Sequence, residues 1–96
     1  MIRSYRNKNL EKLMMRGTGV RLQQKHVPQL RRILTSLNDL RHPSDVRKIF
    51  GTQGHYLSVY KGKSNYWAVR VNGNWRVTFE LQTNGDVTNV DYWDYH

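Results

Sequence analysis

Ninety-six residues with a net charge of +9, 38% of them hydrophobic and none a cysteine, allow one economical core and exclude a disulfide framework, thiolate chemistry and a cysteine zinc site. A charged fraction of 24% is ordinary for a folded soluble chain, and no apolar run is long enough for a secretory core or a membrane span. The expectation is a single domain over residues 1–96, cytoplasmic, without cofactor or metal: the spacing of His26, His42, His55 and His96 matches no metal motif.

The charge is unevenly placed. Residues 1–50 carry twelve Lys or Arg against Glu11, Asp39 and Asp45, whereas Lys61, Lys63, Arg70 and Arg76 are balanced by Glu80, Asp86, Asp91 and Asp94. A surplus of this kind attracts polyanions through counterion release, which puts nucleic acid ahead of an acidic protein as partner.

Along the chain, Ile2 to Tyr5 predicts a short leading strand. Asn7 or Asn9 then caps a helix carrying Leu10, Leu13 and Met14 at i, i+3 and i+4, which stops before Gly17-Thr18-Gly19. A second helix starts near Val27-Pro28, with Leu30, Ile33, Leu34 and Leu37 as its apolar stripe and Arg31 and Arg32 on its other side. His42-Pro43-Ser44 breaks the pattern, and Asp45 to Ile49 adds one helical turn. From His55 the period becomes two: Leu57 and Val59, then Trp67, Val69 and Val71, then Trp75, Val77, Phe79 and Leu81, then Val90 and Tyr92. Asn72-Gly73 and Asn84-Gly85-Asp86 supply hairpin signals. The expected fold is α+β: a short N-terminal strand and two helices packed on a twisted antiparallel sheet of about four strands in meander order. The face of opposite parity, with Tyr56, Tyr60, Tyr66, Arg70, Arg76, Trp93 and Tyr95, is too polar and aromatic for an ordinary core.

The last residues, Asp94-Tyr95-His96, are a carboxylate, a phenol and an imidazole in succession, an unusual ending for an idle terminus. With Arg76 and Lys61 they meet the needs of metal-independent RNA cleavage. A base takes the ribose 2′-hydroxyl proton, cationic donors hold the phosphorane, and an acid protonates the leaving 5′-oxygen. His96 titrates near neutrality; Tyr95 does so only if cations lower its pKa; Arg76 offers a planar fork to phosphate; Asp94 can orient His96 or Arg76. Exposed Tyr56, Tyr60, Tyr66 and Trp93 are candidate base platforms. Each has a plainer reading: Arg76 paired with Glu80 or Asp91, the aromatics as packing, His26, His42 and His55 as structural or exposed. No nucleotide-binding, zinc-protease or serine-hydrolase motif is present. On these grounds a basic binding module and a small RNase stand level.

Residues 1–13 (MIRSYRNKNLEKL), Leu57 to Gly62, Tyr66-Trp67-Ala68-Val69, Asn72 to Phe79 (NGNWRVTF) and Asp91 to His96 (DYWDYH) together resemble the HigB toxins of the RelE/ParE superfamily, in the right order over nearly the whole chain. The resemblance implies a RelE-like fold and a toxin that enters the ribosomal A site of the 30S subunit and cuts messenger RNA. It also implies a HigA-type helix-turn-helix antitoxin, through which the pair contacts operator DNA. Carried over by position, Lys61, Arg76, Asp94, Tyr95 and His96 are the catalytic candidates, and Arg16, Arg21, Lys25, Lys63 and Arg70 the RNA-binding ones. One position departs: the family reads Leu-His-Pro-Leu-Lys-Gly where this chain reads Leu57-Ser58-Val59-Tyr60-Lys61-Gly62, so Ser58 replaces a histidine implicated in catalysis. Serine is no base near pH 7, and His55 has the opposite strand parity, so proton transfer falls to His96 and Tyr95. The rivals are a ParE-like inhibitor of DNA gyrase and a basic nucleic-acid-binding module without chemistry.

Overall fold

A computed structural model describes residues 1–52, 57–59 and 65–94, with side chains described for 1–50 and 65–94. Helix α1 (Lys8–Arg16) begins at Asn7, whose side chain accepts the Asn9 N–H at 2.9 Å, and ends at Gly17, which takes φ 74° and donates its N–H to the Leu13 carbonyl. The Arg31 guanidinium of α2 (Val27–Asp39) donates to the Gly17 carbonyl at 2.6 Å, tying the two helices at that end. A 3-10 turn (Gln24–His26) leads into α2, whose first turn holds Pro28 and whose buried stripe is Leu30, Ile33, Leu34 and Leu37, as its spacing predicts. Helix α3 (Asp45–Thr52) runs longer than the single turn expected, because Val46 and Phe50 both reach the core and Phe50 packs on Phe79 at 6.4 Å between ring centroids.

The strands β1 (Leu57–Val59), β2 (Tyr66–Asn72), β3 (Trp75–Leu81) and β4 (Val87–Asp94) lie side by side in chain order, every pair antiparallel. Val69, Val71, Val77, Phe79, Leu81, Val87, Val90 and Tyr92 face the helices and are buried with them in one cluster. Burying this many large apolar side chains, each contributing about 1.5–3 kcal/mol relative to exposure, is the main force holding sheet and helices together.

Three local features depart from the sequence expectation. In the β2–β3 hairpin Asn72 pairs with Trp75, so the two loop residues are Gly73 and Asn74, and Gly73 supplies the positive φ of 54° at the first central position. In β4, Thr78 pairs with Asp91 but Glu80 with Thr88, leaving Asn89 and Val90 opposite Phe79. Asn89 takes φ 55°, and this bulge turns both Val87 and Val90 inward, a spacing of three that strict alternation forbids.

The predicted N-terminal strand is the third. The chain runs beside β4 but forms two isolated parallel bridges, Ile2 with Val87 and Tyr5 with Val90, because the bulge at Asn89 lies between them and breaks a continuous ladder. Side chains complete the junction: the Asp86 carboxylate accepts from Arg3 Nε at 3.0 Å, Asn38 Oδ1 accepts the Ile2 N–H at 3.1 Å, and Ser4 Oγ accepts the Asn89 N–H at 2.9 Å. The Arg3 hydrogen bond holds the Asp86 carboxyl below the usual carboxylate range.

Candidate functional site

The antiparallel register decides which charged side chains can act together. On the sheet face away from the helices, Arg70 of β2 stands directly opposite Arg76 of β3, and Arg76 directly opposite Trp93 of β4. Two cations opposed on one face repel, and this row is therefore suited to an anion lying across β2 and β3 beside their turn. Arg76 Nη1 donates to the Gly73 and Trp75 carbonyls at 2.8 and 3.2 Å, which lays its side chain back along the β2–β3 turn. One row further, the Trp93 indole N–H donates to Thr78 Oγ1 at 3.2 Å, and Thr78 and Ala68 are buried although they belong to this outer face.

Glu80, one of the two partners that would have made Arg76 a plain ion pair, is engaged at the far end of β3. Its carboxylate accepts from Asn65, Gln82, Thr88 and Asn89 at 3.1 to 3.3 Å. Asp91 pairs in register with Thr78, and its Oδ1 accepts the Tyr92 N–H at 2.8 Å.

Asp94 is placed differently from Arg76. It pairs with Trp75 and shares the parity of Tyr92, the side of the helices and not the side of Arg76. Its charge acts on the Tyr92 phenol, which burial, with a smaller contribution from Asp94 against a Gln23 backbone hydrogen bond, pushes up to about 12. Lys61, Tyr95 and His96 lie outside the described residues, as do Lys63 and the side chain of Ser58. The backbone register pairs Ser58 with Ala68, two residues along β2 from Arg70.

The RNA-binding candidates fall into two groups. Arg70 is exposed beside Arg76. Arg16, in the last turn of α1, and Arg21 line one hollow; Arg21 and Lys25 line a larger cleft that also contains Trp75 and Tyr92.

That cleft ends on an aromatic cluster that sequence reasoning left as packing. Trp75 and Tyr92 stack with centroids 4.6 Å apart, and buried His26 meets Trp75 at 5.7 Å and Tyr92 at 6.0 Å edge-on. The Tyr92 hydroxyl and His26 Nδ1 are hydrogen-bonded at 2.6 Å, which ties the imidazole to the end of β4. His26 Nε2 has no hydrogen-bond partner among the described residues. Burial, reinforced by Lys25, lowers the His26 pKa and keeps the ring neutral. No spacing signal could have joined His26 to Tyr92, 66 residues away.

Among the described residues no helix is long and apolar enough to cross a membrane. No curated protein matches the chain. The family model of HigB-like toxins, described as the RelE-like toxin of the type II toxin-antitoxin system HigB, matches residues 3–96. With helices on one sheet face and an arginine row on the other, the chain belongs to the HigB-like family of type II toxins, whose members act opposite an antitoxin partner.

Proposed function

We propose that this toxin is a ribosome-dependent, metal-independent endoribonuclease that cuts messenger RNA in the cytoplasm and is neutralised by a HigA-type antitoxin. The observation that carries the reading is the Arg70–Arg76 pair, two opposed cations on the sheet face left open by the helices. Family membership supplies the context of a toxin.

In this mechanism the ribose 2′-oxygen attacks the adjacent phosphorus as its proton passes to a base. The P–O5′ bond breaks as the leaving oxygen gains a proton, giving a 2′,3′-cyclic phosphate and a 5′-hydroxyl. Arg76 and Lys61 hold the phosphorane oxygens, a role worth about 10²–10³ in rate for a single donor. His96 and Tyr95 share acid and base duties, since Ser58 replaces the usual histidine. Asp94, on the other parity, orients the terminal residues rather than Arg76.

The test is induced expression in a bacterium with 5′-end mapping of transcripts, comparing the native chain with Arg76→Ala and with a chain lacking His96. New cuts within translated regions that vanish in both variants support the reading. Toxicity with intact messages and altered supercoiling marks a gyrase inhibitor instead, and no toxicity a binding module.

A further inference from the structure

Tyr95 and His96, to which the proton transfers fall, are the two residues that follow β4, so whatever fixes the end of that strand bears on the chemistry. β4 is an edge strand of the described sheet, laddered to β3 on one side. On its other side the N-terminal segment bridges it at Val87 and Val90, and beyond them the Asn7 amide reaches the Tyr92 carbonyl at 3.4 Å, a long hydrogen bond. Burial runs out along the same stretch: Tyr92 is buried, Trp93 half-buried and Asp94 exposed. Tyr92 is therefore the last side chain of β4 seated in the core.

That seat is built from rings on three elements. Tyr92 stacks on Trp75, the register partner of Asp94, and its hydroxyl is hydrogen-bonded to His26 Nδ1 at 2.6 Å. His26 is 1% exposed and stands directly before α2, whose buried stripe packs in the same core as the sheet. Stacking alone lets one ring slide over another, whereas a short hydrogen bond to a side chain fixed on a helix sets a single position. The imidazole is also a costly filling, because its Nε2 is buried with no partner among the described residues, and an apolar side chain would bury no such atom. A buried polar group of this kind is explained by what it holds in place.

We propose that His26 is a positioning residue of the cleavage site: through the Tyr92 hydroxyl it sets where the end of β4, and with it Tyr95 and His96, stands relative to Arg76. The proposal rests on the reading of this toxin as a nuclease. Trp93 and Asp94 continue the strand in register with β3, so a tilt at Tyr92 carries the end of β4 with it. A 1 Å misplacement of a reacting group costs about 10²-fold in rate. Arg70 and Arg76 are held by the β2–β3 ladder and its turn, on the other face, so loss of this seat leaves the phosphate contacts in place and acts on the rate.

The test is single-turnover cleavage of a labelled message on bacterial ribosomes, at a cut site located by 5′-end mapping, over a range of toxin concentrations. His26→Leu and Tyr92→Phe remove the hydrogen bond and keep apolar bulk, whereas His26→Asn returns an amide near the place of Nδ1. Thermal melting checks that each is folded at the assay temperature. His26→Leu and Tyr92→Phe should each slow the step at least about tenfold at saturating toxin, with the half-saturating concentration within about twofold, and His26→Asn should recover to within about threefold. Amide order parameters of residues 93–96, read by NMR relaxation, should fall in the first two variants and recover in the third. Native rates in folded His26→Leu and Tyr92→Phe overturn the proposal, as does a slowing that saturating toxin abolishes, which would assign the cluster to binding. Cuts indifferent to both variants sink the positioning role and leave the nuclease standing; order parameters that depend on His26 in a chain that cuts no message do the reverse.

Discussion

Arg70 and Arg76 face one another across β2 and β3, like charges at directly opposed positions of an antiparallel ladder. Such a pair costs stability, about 0.2–1 kcal/mol against a neutral pair, and a stability cost on an exposed face is expected where an anion is to be bound. Arg70→Thr, which puts a β-branched residue on the strand, should therefore raise the free energy of unfolding in urea by a few tenths of a kcal/mol up to about 1 kcal/mol. It should also weaken binding to RNA. A variant that loses stability, or gains it with RNA affinity intact, contradicts the functional reading of the pair.

The His26–Tyr92 bond makes a prediction about pH. His26 has its pKa lowered in the folded chain, so above about pH 6.5 the ring is neutral folded and unfolded and contributes no pH dependence. Below that the unfolded chain takes up a proton that the folded chain resists, and stability falls until the folded pKa is reached. Unfolding free energies at pH 7.5 and 5.5 should therefore differ more in the native chain than in His26→Gln. Equal differences would show that His26 is not held neutral by the fold.

Removing the imidazole altogether is a separate test of packing. His26→Ala empties a fully buried site and takes away the Tyr92 hydroxyl's side-chain partner, leaving it the Gln23 backbone, and should cost about 2–4 kcal/mol. Tyr92→Phe, which keeps the stack on Trp75, should cost less. Denaturation midpoints rank the two.

Gly85 fixes the β3–β4 hairpin against the segment after α2. It takes φ 91°, and a Cβ there would fall on the Arg41 carbonyl, a backbone atom that cannot swing aside. Gly85→Ala should cost about 2–4 kcal/mol and lower Tm by more than about 8 °C. Gly73→Ala, also at positive φ but with nothing within 4 Å of the added Cβ, should lose only the strain of its conformation.

The sequence was most legible where one local period decided burial. The stripe of Leu30, Ile33, Leu34 and Leu37, the caps at Asn7 and Gly17, and the alternation through β2 and β3 each follow from neighbours within a few residues. The Asn89 bulge was not legible, because its cause is long-range: the Asn89 N–H is taken by Ser4 Oγ at the other end of the chain. That one residue reduced the expected leading strand to two bridges. The site divided in the same way. Arg76 was marked by its motif, but its opposition to Arg70 depends on hairpin register, and Asp94 fell on the opposite side from Arg76 because parity along β4 outranks nearness in sequence to Tyr95 and His96.

Transcript 5′-end mapping after induction of Arg76→Ala tests directly whether Arg76 holds the phosphorane during RNA cleavage. Cuts in translated messages should fall at least about 10²-fold while the variant remains folded. Cuts at the native frequency and positions in a folded Arg76→Ala protein would contradict that role.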